Sequence, residues 1–400
     1  MQPHGGRSRH DDTRRRRPRA AWLVLWSAVW VVLFDLAVGG SWDGEYHRTQ
    51  PFDGFFSPPH LFIYTFAAIA MTLVAVLNLR PALRDCFGAT LPLPGPVPFL
   101  GTAHPGALVL LSGGFAGIAF AGPADASWHT GFGLDETNWS FPHAMLGCSL
   151  ALIALGVLAS RIALQGVRPM WAPTRYLIGY LAVFACAVFM GPLQNYPTRQ
   201  FAITAGSSGA LGVNPDYQHL VRIVDQANLT HTNPAYVIVA AAWTGLALGL
   251  LRAIDRRARY WLVVAVLVAF SLAGTAADEA ARYGLADDAR AVTGLPLLTA
   301  AVTFAVTFRV PELVRYLLAG ATFSIHVYAV WGTAVTPYWY ALAAAVAPAA
   351  VVGGAVVARW IHRVVVAPAR PATLALVIAA VAGVPALTGT VDLALRSAIP

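Results

Sequence analysis

The chain has 400 residues, of which 57% are hydrophobic and 12% charged, and its mean hydropathy is +0.60. That balance excludes an ordinary soluble domain, where about 25% of residues are charged, and the many long apolar runs exclude a single buried core. The net charge of +8 is carried on arginine alone; the arginines lie at the N-terminus and between apolar runs, where they read as topology signals and contacts to anionic lipid rather than to nucleic acid.

Arg14, Arg15, Arg16, Arg17 and Arg19 precede an apolar run that begins at Ala21. The run is long and has no obvious small-residue cleavage site, so residues 1–20 read as a disordered basic cytoplasmic tail before a retained signal-anchor helix. A spanning helix needs about 20 mostly apolar residues. Runs of that kind fall at 21–39, 60–79, 103–122, 143–163, 174–193, 233–252, 258–277, 293–309, 312–333, 338–358 and 371–389. The expected fold is therefore an all-α, polytopic integral membrane helix bundle with about 11 transmembrane helices. The all-arginine basic set, with its excess of Ala and Pro, suggests a bacterial plasma membrane.

The connecting loops sort by charge. Arg80 and Arg84, Arg161 to Arg175, Arg252 to Arg259, Arg309 and Arg315, and Arg359 to Arg370 form one set. They alternate with loops rich in Asp, His and Trp. The positive-inside rule places the arginine loops and the N-terminus in the cytoplasm and the Asp/His loops on the outer side.

Those outer loops carry one phrase twice. Asp43, His47, Asp53, Ser57 and His60 recur as Asp125, His129, Asp135, Ser140 and His143. A third loop holds Asp216, His219, Asp225 and His231, and a fourth has Asp278, Arg282 and Asp288, with Arg in the His position. Copies two spans apart keep one orientation, so the first eight helices read as repeated helix–loop–helix pairs. On this reading residues 21–165 form a transmembrane repeat pair with two Asp/His/His motifs, 166–310 a second, degenerate repeat pair, and 311–400 the C-terminal transmembrane helices.

The spacing has a chemical meaning. Asp43 and His47 are i, i+4, as are Asp125 and His129, which puts both side chains on one helical face about 5–6 Å apart. Ser and Pro then signal the start of the next helix, and its first-turn histidine, His60 or His143, can face back toward the pair. One carboxylate and two imidazoles suit copper, zinc, iron or nickel rather than magnesium or calcium. Asp53 and Asp135 would serve as extra ligands or receive an N–H from a ligating ring. Asp216, His219, Asp225 and His231 are third-site candidates. The competing reading is a hydrogen-bonded cap that orders each outer loop without metal, and for the third and fourth loops it is the favoured one.

Other features narrow the field. There is no HExxH, GxSxG, Walker loop or strand-borne GxGxxG, so neither nucleotide nor nucleic acid is an expected partner. Cys86, Cys148 and Cys186 have no CxxC spacing and imply no disulfide framework. His326 reads as a hydrogen-bonded core histidine. Glu312 and Arg315 read as snorkelling residues at a helix end.

At the two complete phrases the sequence resembles the C subunit of the copper membrane monooxygenases, the particulate methane and ammonia monooxygenase family, over about residues 30–160. Asp43, His47 and His60 match that family's Asp-x3-His-x12-His arrangement. Asp125, His129 and His143 match its Asn-x3-His-x13-His arrangement, with Asp in place of Asn. The resemblance implies a copper cofactor, dioxygen-dependent oxidation of a small apolar substrate, and partner membrane subunits; a homo-oligomer is the other assembly compatible with one chain. Two further readings remain: a metal-handling or transport protein, and a structural membrane protein whose His/Asp loops are hydrogen-bonded and bind no metal.

Overall fold

A computed structural model describes residues 9–49, 54–87, 98–99, 102–132, 140–164, 235–254, 264–269, 295–331, 337–366 and 371–397. Helix α1 (Arg9–Phe34) runs through one π-helical turn, Asp35–Gly39, into α2 (Gly40–Thr49). Helices α3 (Pro58–Leu79), α4 (Pro81–Arg84), α5 (Gly106–Phe132) and α6 (Phe141–Ala163) complete the first half. The second half holds α7 (Ala235–Ile254), a helical stretch at 264–269, α8 (Leu295–Val306), α9 (Glu312–Trp331) and α10 (Pro337–Val366). Helix α11 (Pro371–Ile378), a π turn at Ala379–Gly383 and α12 (Val384–Ser397) end the chain. A two-residue antiparallel ladder, Pro98–Phe99 against Thr102–Ala103, precedes α5.

The multi-pass helical architecture is clear. Among the described residues, six helices are long and apolar enough to cross a membrane: Arg17–Asp43, Pro58–Leu79, Gly106–Phe132, Phe141–Ser160, Ala341–Val364 and Ala372–Ala394. Large apolar side chains such as Leu61, Phe120, Val356, Trp360 and Leu387 stay exposed, as a lipid-facing surface requires.

The expected count of eleven spans is not tested in full by the described residues. The run at 174–193 and most of that at 258–277 lie outside them, and the run at 293–309 forms a helix of only 12 residues, short of the ~20 a span needs. The first helix also begins at Arg9, inside the segment expected to be a disordered tail, and ends at Thr49 rather than 39. Apolarity stops there, but the backbone hydrogen bonding does not.

Packing follows small residues. One apolar core gathers α7, 264–269, α8, α9 and α10 around Trp243, Phe304, Tyr316 and Phe323; another joins α1, α3, α5 and α6 around Leu25, Leu77, Leu108 and Leu111. A third, with Leu110, Leu152, Leu246, Leu250 and Ala358, ties the halves together. The closest approach is α7 on α10: a Cβ at Gly245 would overlap the Val351 carbonyl, and one at Gly354 the Ala242 carbonyl. Only glycine permits backbones that near, the usual device where lipid removes the hydrophobic drive for helix association.

Two isolated polar residues are explained by their neighbours. His326 Nδ1 lies 3.0 Å from Thr299 Oγ1, so it is the hydrogen-bonded histidine its sequence context suggests. Arg315 does not snorkel. It turns inward, buried, and donates from Nε (3.2 Å) and Nη2 (2.6 Å) to the Phe304 carbonyl in the last turn of α8, with its guanidinium 3.9 Å from the Phe304 ring centroid.

Candidate metal centre

Both complete phrases are built alike from their local sequence. In the first, α2 carries Asp43 and His47 one turn apart. The chain returns through a turn in which Ser57 N–H donates to the Gly54 carbonyl, 2.8 Å. Pro58 and Pro59 then occupy the opening positions of α3, where a missing N–H costs nothing. This sets His60 in the first turn, facing α2. In the second phrase, α5 carries Asp125 and His129, Ser140 precedes α6, and His143 is again the third residue of the returning helix.

The two aspartate–histidine pairs do come together. His60 Nε2 lies 3.1 Å from Asp43 Oδ1. The other ring nitrogen, Nδ1, is 3.1 Å from the Gly54 carbonyl oxygen. A carbonyl only accepts, so Nδ1 must carry the hydrogen and point it at Gly54. Nε2 is then the nitrogen turned to Asp43: it donates as an imidazolium, accepts from a protonated carboxyl, or shares a cation with the carboxylate. In the second unit His143 Nδ1 lies 3.9 Å from Asp125 Oδ1 and 3.3 Å from Ser140 Oγ. That pair is looser, and the serine hydroxyl competes for the same nitrogen.

The units lie side by side at one end of the bundle. Tyr64, one turn beyond His60, is 5.9 Å from it ring to ring and 4.9 Å from Phe55. A Cβ added at Gly122 would stand 3.3 Å from the Tyr64 hydroxyl and 3.4 Å from Phe55. Gly122 is three residues before Asp125, on the same face of α5. An aromatic partition of Tyr64 and Phe55 thus separates the first pair from the helix that bears the second.

Two donors near these pairs, Ser57 Oγ and Trp128 Nε1, are buried without a hydrogen-bond partner. Buried polar groups are normally satisfied, and an exception marks a place for water or an ion. An Nε2 whose partner nitrogen is fixed by a backbone carbonyl is the usual arrangement of a ligating histidine, and one imidazole with one carboxylate is half of the donor set that copper or zinc takes. Among the described residues, no three His, Cys, Asp or Glu side chains form a metal-holding group. The side chains of His47 and His129 lie outside the described residues, as do Asp53, Asp135 and the third set, Asp216, His219, Asp225 and His231.

Sequence reasoning missed three contributors. The Gly54 carbonyl was legible only as part of an Asp-Gly turn. Tyr64 was legible as the i+4 neighbour of His60. The role of α12 had no local signal: Gly389 backs onto Phe141 at the start of α6, 3.1 Å from a Cβ at Gly389 to the Phe141 Cβ.

No protein-family model matches the chain, and no curated protein or solved structure is significantly similar to it.

Proposed function

We propose that the chain is a membrane-embedded metal protein with two neighbouring sites, Asp43/His47/His60 and Asp125/His129/His143, whose preferred metal is copper. The observation that carries this reading is the His60 ring, held at Nδ1 by the Gly54 carbonyl so that Nε2 addresses Asp43. A neutral, Nδ1-anchored imidazole beside a carboxylate is a ready half of a transition-metal site. His47 and His129, one turn beyond each aspartate, complete the sets, and Asp53 and Asp135 orient them from the connecting loops.

Bound copper would supply activation of dioxygen. The protein's own part is to fix the His60 ring, hold the two sites apart with Tyr64 and Phe55, and keep both within reach of small apolar molecules dissolved in the lipid. Oxidation of such a substrate follows the resemblance to the C subunit of copper membrane monooxygenases, and the matched sites would then act with partner membrane subunits. The arginine-rich helix ends face the cytoplasm on this reading and the two sites face outward.

A second reading has its own support. A 3.1 Å His60–Asp43 contact is also the length of a direct ion pair, which would order the loop with no metal at all. The deciding measurement is metal content by mass spectrometry on detergent-purified protein, wild type beside His47→Ala/His129→Ala. Copper bound in stoichiometric amount and lost in the double variant supports the proposal. Zinc lost in the same way keeps the sites and removes the oxidation chemistry, leaving metal handling. No metal in either protein, with equal stability, establishes the ion-pair scaffold.

A further inference from the structure

The second half of the bundle gathers several arginines at one end. Helix α7 brings Arg252 in its last turn, and α9 brings Glu312 and Arg315 in its first. Helix α10 adds Arg359, five residues before its span ends at Val364. The buried Tyr316 stands at their centre. Its ring is 4.6 Å from that of Phe304, and the Arg359 guanidinium lies 6.0 Å from it. Arg315 lies against Phe304, 3.9 Å from the ring centroid. Arg252 is near enough for its charge to act on both Arg315 and Tyr316.

These charges are not balanced from within. Arg315 is anchored by two hydrogen bonds to the Phe304 carbonyl, which fixes its charge in place without neutralising it. Among the described residues, Glu312 is the one carboxylate of the cluster. It stands 3.6 Å from Arg359, beyond hydrogen-bond length, and both side chains are nearly half exposed. An ion pair of that kind contributes little. Three guanidiniums around one loosely held carboxylate repel one another, and the arrangement calls for an anion.

The surroundings indicate which anion. Val356 and Trp360 of α10, on either side of Arg359 in sequence, are exposed, as is Leu313 beside Glu312. Exposed apolar side chains on a spanning helix face lipid. An arginine close to the end of a span extends its charged head to the interface. A free anion would meet the guanidiniums alone. A phospholipid would meet them with its phosphate oxygens, which the guanidinium fork matches, and would lay its acyl chains on the apolar side chains.

We propose that Arg252, Arg315 and Arg359 form a binding site for the headgroup of an anionic phospholipid. Arg359 makes the exposed contact, and Arg252 and Arg315 supply the charge behind it. Glu312 competes with the phosphate for Arg359. The proposal does not depend on the metal read into the first half of the bundle.

The test is lipid retention. Full-length protein in nonionic detergent is titrated with dioleoylphosphatidylglycerol or dioleoylphosphatidylcholine, and bound lipid is counted by native mass spectrometry. The two lipids share their chains and their phosphodiester and differ in net charge. Phosphatidylglycerol should be retained in preference. Arg359→Gln and Arg252→Gln should each weaken its retention about five-fold, the weight of one arginine near an anionic surface. Glu312→Gln, which removes the competitor, should strengthen retention, a gain that misfolding does not produce. Arg80→Gln, exposed at the end of α3, should leave it unchanged. Size-exclusion profiles identify any variant that fails to fold, and the two arginine variants of the site back each other up. Equal retention of the two lipids overturns the proposal. So does a loss in Arg80→Gln as large as in Arg359→Gln, which would leave only a diffuse basic surface. Displacement of the lipid by an equal concentration of inorganic phosphate also overturns it, because the site would then belong to a free anion.

Discussion

The two pairs should differ in strength, and a double-mutant cycle can show by how much. At 3.1 Å and an effective dielectric constant near 20, an imidazolium and the Asp43 carboxylate attract by ~5 kcal/mol before desolvation. Their side chains are 14% and 25% exposed, so most of that is returned in lost hydration. A net coupling somewhat above the ~0.2–1 kcal/mol of exposed ion pairs remains. The His143–Asp125 pair stands at 3.9 Å, with His143 41% exposed. It is beyond hydrogen-bond length and in contact with solvent, so about 0.2–1 kcal/mol is expected. The assay is denaturant unfolding in detergent with chelator present, at a pH about one unit below the ordinary histidine value of ~6.5, on wild type, His60→Ala, Asp43→Ala and the double variant, and the same four for the second pair. Added copper should then raise both couplings, since one ion would tie each pair. A first-pair coupling no larger than the second's would refute the geometric argument.

Other consequences can be checked by the same unfolding measurement. Gly245→Ala or Gly354→Ala puts a methyl group into a facing backbone carbonyl that cannot rotate away, so α7 and α10 must part and about 1–3 kcal/mol or more is lost; Gly353→Ala, whose Cβ would meet nothing within 4 Å, should change little. At the opposite end of the bundle, His104 Nδ1 is 2.9 Å from Asn78 Oδ1, and Asn78 donates onward to Ser112 Oγ at 3.1 Å. Burial, and then the charge of Arg84, hold the His104 pKa below its ordinary value. The neutral ring is therefore favoured by folding. Its contribution is complete above the ordinary value, declines as pH falls below it, and is gone once pH has fallen through the lowered folded value. Acidification should destabilise wild type, and His104→Gln, which keeps an N–H for Asn78, should show a shallower acid loss; parallel curves would assign the loss elsewhere.

What the sequence made legible was local. The four-residue step from Asp43 to His47 needs only a helix, and α2 provides one. The third-position placing of His60 and His143 follows from Ser and Pro at a helix start. Distances between elements were harder. The sequence ended the first span at residue 39 because polar residues begin there, but helix termination depends on backbone partners rather than hydropathy. Arg315 looked like a snorkelling residue because nothing nearby in sequence shows that the Phe304 carbonyl stands within its reach. The docking of α12 on the start of α6 depends on Gly389 meeting Phe141 across more than half the chain, a pairing no periodicity encodes.

The irregularities in the two motif-bearing helices explain how the aspartates come to face inward. A regular helix from Arg9 to Thr49 would present residues at 100° steps, and an extra residue in one turn shifts everything beyond it by about that angle. The π turn at Asp35–Gly39 applies this shift just before Asp43, and so rotates Asp43 relative to the stripe of Leu25, Ala28 and Val29 that packs in the core below. In α5 the corresponding break is Pro123, two residues before Asp125 and inside the helix. Proline removes one backbone bond, the one its missing N–H would give to the Ala119 carbonyl, and displaces the preceding turn; beyond it, Ser127 Oγ donates back to the Pro123 carbonyl at 2.8 Å. Two different devices thus act at the same place in two similar phrases. A full extra residue turns Asp43 to within 3.1 Å of its histidine, whereas the proline leaves Asp125 at 3.9 Å. The tighter pair is the one whose helix also holds Asp35, so the distortion that aims Asp43 at His60 is the same one that accommodates a carboxyl in the span beneath it.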